Sequence, residues 1–192
     1  MDEIVEIYEH SGEEKCEKLI YEIFWMMRVT IYRIQRSSLN FELIEYLCKA
    51  TLACSSPKVL SCILSIFLYI IKQFVAEIKS ENGNTEARDS FQRARGEIYP
   101  VLFECIPIIK VSEDNLKFMI KILELTLFPE DQLDQQAVDL YEETGLREFV
   151  QEVEDHKFQG LRDKASDLEF RIQKGQRMEE DLKCDGEALY FG

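Results

Sequence analysis

Four short polar breaks interrupt the helical hydrophobic pattern of this chain at nearly regular intervals. Each break follows a short amphipathic segment and precedes a longer one. The first two breaks lie about 44 residues apart, as do the last two, and the middle interval is longer by roughly one polar insert. The breaks are His10-Ser11-Gly12, Cys54-Ser55-Ser56-Pro57, Lys110-Val111-Ser112-Glu113-Asp114 and Glu154-Asp155-His156-Lys157. Such spacing predicts a stack of similar helical units, each burying its apolar face against its neighbours.

A period of this length is typical of armadillo and HEAT repeats, whose units span about 40 to 47 residues. A chain of 192 residues has room for about four units. We therefore predict an all-α fold, an armadillo- or HEAT-like α-solenoid of about four helical repeats. The repeat domain is expected over residues 1–175, with an insert loop at 80–93 and an acidic, flexible tail at 176–192.

Apolar residues at three- and four-residue spacing place the individual helices. They are expected at 2–9, 13–35, 41–53, 57–78, 94–110, 113–128, 131–143, 146–154 and 158–172. Pro57 suits a first helical turn, and Gly145 is expected to form a left-handed cap. Pro100 and Pro107 should kink or divide the helix at 94–110.

The chain is strongly acidic, with a formal net charge of −14. This charge argues against a general nucleic-acid binder, because contact with phosphates needs a positive surface. It suits a protein partner rich in Lys and Arg. A second interpretation, that the acidic side chains only keep the helix surfaces soluble, remains open.

The 6 cysteines show no metal-ligand spacing, and most of them lie in apolar helical runs. We expect reduced thiols that pack as small apolar groups, in the cytoplasm, the nucleus or both. The two histidines, His10 and His156, do not complete a zinc cluster with them. No metal and no cofactor is predicted.

One apolar run, residues 59–71, could be mistaken for a membrane span. As a helix it would rise about 20 Å, which is short of the roughly 30 Å hydrocarbon core of a bilayer. We expect a buried core helix and no membrane insertion.

From Tyr99 onward the residues themselves, and not only their period, resemble a known family. The matching stretches are Leu102-Phe103-Glu104-Cys105, Ser112-Glu113-Asp114-Asn115, Ile122-Leu123-Glu124-Leu125 and Tyr141-Glu142-Glu143-Thr144-Gly145-Leu146-Arg147-Glu148-Phe149. They are similar to the last armadillo repeats of importin-α (karyopherin-α). The resemblance covers about 75 residues, and the first ninety residues are armadillo-like only in pattern.

The resemblance implies a right-handed superhelix with a concave groove that holds an extended basic peptide. In that family Trp rings cradle Lys stems, and Asn side chains one turn further on hold the peptide backbone. Here Val29 stands at the Asn position after Trp25, and Lys121 and Leu125 stand at the Trp and Asn positions of a later repeat. The candidate partner-binding residues are Trp25, Arg28, Val29, Leu68, Lys72, Lys121, Glu124 and Leu125.

These residues also have simpler interpretations. A Trp on an apolar helix more often belongs to the core, which is the interpretation we favour for Trp25. Arg28 suits a solvated helix face, and Lys121 with Glu124 forms an ordinary helix pair.

The motifs of enzymes are missing from the sequence. It contains no phosphate-binding glycine motif and no pattern that pairs a nucleophile with a base. We predict a non-enzymatic, importin-α-like adaptor in nucleocytoplasmic transport that binds a basic peptide or a karyopherin. The alternative is a structural or regulatory α-solenoid subunit of a larger complex.

Overall fold

The computed structural model describes residues 14–31, 41–80, 85–155 and 159–188, and within these ranges the fold is all-α. Side chains are described from Glu17 in the first helix and as far as Met178 in the last. The helices are α1 (Glu14–Ile31), α2 (Phe41–Leu52), α3 (Pro57–Ile78), α4 (Thr85–Glu104), α5 (Ile106–Ile109), α6 (Glu113–Leu127), α7 (Gln135–Glu143), α8 (Leu146–Glu154) and α9 (Gln159–Ala188). The predicted helix at 2–9 and the first polar break lie outside the described residues, as do His156 and Lys157 of the last break.

Helix α3 is the centre of the core and has the predicted bounds. The side chain of Ser56 caps it by accepting a hydrogen bond from the Val59 amide at 3.5 Å, and Pro57 opens its first turn. It is long and apolar enough to span a membrane by length and composition, but 61% of the relevant window is buried inside the protein. Its most buried residues are Leu60, Ile63, Leu64, Ile66 and Phe67. Burial of this kind is what a core helix shows.

One layer of the fold consists of α1, α3, α6 and α9, in which α1 contacts α3, α3 contacts α6 and α6 contacts α9. At the start of α3 and α6, the Asn115 Nδ2 donates to the Pro57 carbonyl at 3.0 Å. At their other ends, the Lys79 ammonium lies 2.7 Å from the Asp131 carboxylate. Since their beginnings and ends meet in the same order, α3 and α6 run parallel.

A second layer contains α2, α4 and α7, with α4 in contact with both of the others. The Cys48 thiol donates to the Glu97 carbonyl at 3.7 Å, and the Cys105 thiol donates to the Thr51 carbonyl at 3.5 Å. Residues later in α2 therefore meet residues later in α4, so that these helices are also parallel. The core lies between the two layers.

The predicted loop at 80–93 is wrong for most of its length, because α4 begins at Thr85. Only a thin stripe of this segment is buried, namely Ala87 and Phe91, followed by Ala94. Two alanines and one aromatic residue give a weak hydrophobic signal among polar neighbours, although the stripe has helical spacing.

The two prolines of this region behave differently. Pro100 lies inside α4, whereas a new helix, α5, starts after Cys105 with Pro107 in its first turn. The predicted division of this segment is thus confirmed at Cys105.

The last helix, predicted to end near Ile172, continues through Gly175 to Ala188. An added Cβ at Gly175 would lie 2.6 Å from the Cδ2 of Leu133. Gly175 therefore permits a close approach between α9 and the segment before α7, and does not end the helix. By contrast, Gly145 has a φ of 75°, which confirms the predicted left-handed cap.

Candidate partner-binding surfaces

The predicted partner-binding residues lie on three adjacent long helices, α1, α3 and α6. Trp25, Lys72 and Lys121 are exposed. The remaining predicted residues, Arg28, Val29, Leu68, Glu124 and Leu125, are partly buried. The layer of long helices therefore holds the whole predicted set, but only part of that set reaches solvent.

Trp25 is 45% exposed, so its interpretation as a core residue is wrong. The buried residues of α1 are Ile20, Phe24 and Ile31. These follow one another at helical spacing and define one side of the helix, and Trp25 falls one residue off that stripe. An exposed Trp is a feature of protein interfaces.

Arg28 is partly buried on α1, near the Cys62 thiol of α3. Burial raises the pKa of that thiol, and the nearby Arg28 guanidinium and a hydrogen bond with Tyr21 oppose the rise.

A groove of about 400 Å³ between α6 and α9 contains Lys121 and Glu124. The Glu124 carboxylate lies 2.7 Å from the Lys121 ammonium and 3.1 Å from the Arg171 guanidinium. Burial opposes its ionisation, but the two cations outweigh burial and hold the pKa of Glu124 below its usual range. Arg171 also stacks over Phe128, with its guanidinium carbon 4.1 Å from the ring centroid.

The charges on this groove are mixed and already paired in part. Its cations are Lys117, Lys121, Lys164 and Arg171, and its acids are Glu124, Asp163 and Asp167. A basic peptide would therefore meet at least as many cations as carboxylates here. Lys72 adds a further exposed cation on α3.

A second groove, of about 330 Å³, lies between the α4–α5 corner and α8, and the sequence analysis missed it. We call it the corner groove. Its lining residues are Phe103, Glu104, Ile106, Pro107, Lys110, Gly145, Glu148, Phe149 and Glu152. The signal that could have found it is the spacing of the polar breaks, because 103–110 and 145–152 are separated by nearly the same interval in sequence.

Burial keeps the cysteine thiols and the tyrosine hydroxyls of the core protonated. Burial raises the pKa of the Cys48 thiol to about 12 and that of the Cys105 thiol to about 11, with nearby acidic groups adding to the effect. Burial likewise raises the pKa of Tyr99 and of Tyr141. Thiols protonated at neutral pH are poor nucleophiles, so these cysteines are packing residues.

Neither a metal centre nor a relative identifies the chain. In the described ranges, no group of three or more His, Cys, Asp or Glu side chains is arranged to hold a metal ion. Comparisons with protein-family models, with curated proteins and with solved structures found no match. The class of molecule that the fold supports is an all-α protein over the described residues, and the resemblance to importin-α stays a prediction.

Proposed function

We propose that this chain is a non-enzymatic protein-binding module, built as a short armadillo-like α-solenoid. The observation that carries the proposal is the sequence offset between residues that touch across helices. Arg88 pairs with Glu130, Gln92 with Gln136 and Lys110 with Glu152, at offsets of 42, 44 and 42 residues. These offsets match the period of the polar breaks, as expected where each unit packs on the next.

Where one partner precedes residues 81–84 in the sequence and the other follows them, the sequence offset is longer. This agrees with the longer middle interval between the polar breaks. Cys48 reaches Glu97 across 49 residues, and Asn115 reaches Pro57 across 58. The added residues thus lengthen one unit while the order of the contacts is kept. Small-angle X-ray scattering tests this architecture: an elongated profile supports the stack, and the profile of a sphere rejects it.

Stacked in this way, the helices α1, α3, α6 and α9 would present one continuous surface to a protein partner, which we call the long-helix surface. Trp25, Lys72 and Lys121 reach solvent on three neighbouring helices of that surface. Repeat proteins use extended surfaces of this kind for binding, since no single unit forms a deep pocket. The proposed role is a transport adaptor of the importin-α type, acting in the cytoplasm, the nucleus or both.

The experiment uses Trp25 as its reporter, because it is the only Trp in the chain. The protein is titrated with a Lys/Arg-rich localisation peptide and, separately, with a purified nuclear export receptor. Binding on the long-helix surface should shift the Trp emission to shorter wavelength and reduce quenching by acrylamide. The charge-reversed variant Lys72→Glu, Lys121→Glu should alter the affinity for the receptor, and an exposed α2 variant, Glu45→Gln, should leave it unchanged. Absence of binding to both ligands, checked by calorimetry, rejects the transport role.

A scaffold subunit is the second candidate, and the apolar surface of α1 favours it. Leu19 and Met26 are each 56% exposed, beside the exposed Trp25. Exposed apolar side chains of this size are usual where a partner covers a helix. Light scattering distinguishes the candidates, since a chain that is monomeric and cooperatively folded on its own counts against an obligate scaffold.

A further inference from the structure

We propose that the corner groove binds a basic segment of a partner protein, one in which Lys or Arg residues flank an apolar side chain. This inference rests on the proposed protein-binding function but assigns the basic ligand to a different face. The groove combines an apolar floor with an acidic rim.

The floor is aromatic and partly open. Phe103 is 43% exposed, and its ring covers Gly145 so closely that an added Cβ there would lie 2.8 Å from the Phe103 Cε2. Pro107 is exposed beside it, and Phe149 is buried beneath. An apolar side chain of a ligand would therefore find a ring face and a proline ring to pack against.

The rim carries three carboxylates, those of Glu104, Glu148 and Glu152, and a single cation, that of Lys110. This excess of negative charge gives complementarity to a basic segment. The long-helix groove between α6 and α9 has no such excess, since its four cations face three acids.

Lys110 shows how the corner groove accommodates a cation. Its ammonium pairs with the Glu152 carboxylate and lies 5.9 Å from the centroid of the Phe149 ring. A carboxylate on one side and a ring on the other is the environment that favours Lys and Arg side chains. Because Lys110 and Glu152 are 44% and 61% exposed, this internal pair is weak and can yield to a ligand cation.

Fluorescence anisotropy with a labelled ten-residue peptide, containing four Lys or Arg residues around one Leu, tests the proposal. The wild-type protein should bind it, and binding should weaken as salt is raised. Phe103→Ala and the double variant Glu104→Gln, Glu148→Gln should each weaken binding about tenfold. Lys110→Met should strengthen binding severalfold, because it removes the resident competitor for Glu152.

Matched controls separate the groove from general charge and general apolar surface. Phe170→Ala removes a ring that is 66% exposed on α9, and Glu45→Gln removes one exposed acid on α2, and both should bind like the wild type. Thermal unfolding of each variant checks that the fold is kept. A heteronuclear NMR titration should shift the Gly145 amide more than amides of α1.

Each of the following three outcomes would overturn the inference. If the peptide binds but only Lys72→Glu, Lys121→Glu changes its affinity, the ligand lies on the long helices and the proposed function stands without the corner groove. If the acidic variants have no effect while Phe103→Ala dissociates a dimer, the occupant is a second copy of the chain. If the wild type does not bind the peptide, the inference fails, and the export-receptor titration decides the proposed function separately.

Discussion

The Arg95 guanidinium on α4 lies 2.7 Å from the carboxylate of Asp134, which is the residue that caps α7. Arg95 is 3% exposed and also donates to the Thr126 carbonyl at 3.2 Å. Asp134 accepts a hydrogen bond from the Ala137 amide at 3.2 Å through its other oxygen. One carboxylate thus stabilises the start of α7 and neutralises a buried cation of α4.

Removing the charge of Asp134 should therefore destabilise the contact between α4 and α7. Asp134→Asn keeps a side chain able to cap α7 but leaves the buried guanidinium without its counter-charge, and we expect a loss of about 2 kcal/mol in the free energy of unfolding. Asp134→Ala also removes the cap and should lose about 1 kcal/mol more. Urea unfolding followed by circular dichroism measures both. Equal stability of the Asn variant and the wild type would contradict this role for the ion pair.

A side chain at residue 145 should cost stability for two separate reasons. Gly145→Ala places a Cβ in the left-handed region, at a φ of 75°, and against the Phe103 ring. The backbone alone should cost about 1 kcal/mol, and displacement of the ring adds to it. In the double variant with Phe103→Ala, the ring contribution should disappear and the backbone contribution should remain.

Gly96→Ala is the matched control for this substitution. Gly96 lies inside α4, and nothing lies within 4 Å of its added Cβ. The substitution should therefore stabilise the protein by about 0.5 to 1 kcal/mol, because Ala favours the helix and Gly does not. Destabilisation at both glycines to the same extent would show that the conformation at residue 145 is not the cause.

Alkaline pH should destabilise the fold through its buried thiols. The folded-state pKa is about 12 for the Cys48 thiol and about 11 for the Cys105 thiol. Both values lie above the ordinary thiol pKa of 9.0. As pH rises above 9, the unfolded chain loses these protons first, so the free energy of unfolding falls until pH reaches the folded-state values. The buried Tyr99 and Tyr141 act in the same direction, since burial raises their pKa.

The measurement is urea unfolding at a series of pH values from about 8 to 10.5, with reductant present. Each thiol should contribute at most about 1.4 kcal/mol per pH unit to the slope. Cys48→Ala lowers stability at every pH but should make the dependence on pH shallower. A slope unchanged in that variant would mean that the thiol does not carry the effect.

Some of this structure could be predicted from the sequence because its signals are local. The bounds of α3 follow from Pro57 at its start and from an unbroken apolar run, and the cap at Gly145 follows from a glycine after a helical segment. The start of α4 could not be placed in this way, because its buried stripe begins with Ala87 and a single aromatic residue. Local residue patterns therefore predict a helix well where its start signal and its apolar face are strong. They predict a helix poorly where its apolar face is weak.

Tertiary contacts determine the features that the sequence did not reveal. A glycine such as Gly175 often ends a helix, but α9 continues through it. The Leu133 side chain packs where a Cβ at residue 175 would lie. The corner groove brings Phe103 to the turn at Gly145, which lies between α7 and α8. Such proximity depends on how the helices pack and cannot be inferred from either segment alone.

Adjacent residues of α1 give the clearest test of which side of a helix is buried. Phe24 is 3% exposed, whereas Trp25 is 45% exposed. Phe24→Ala should lower the free energy of unfolding by about 3 kcal/mol, because it leaves a cavity beside α3. Trp25→Ala removes a larger side chain but should cost less than Phe24→Ala, about 1 kcal/mol, since nearly half of Trp25 is exposed to solvent. The two variants are compared by urea unfolding under identical conditions, with equal dependence on urea required for a valid comparison. A larger loss for Trp25→Ala than for Phe24→Ala would mean that Trp25 belongs to the core and is unavailable to a partner.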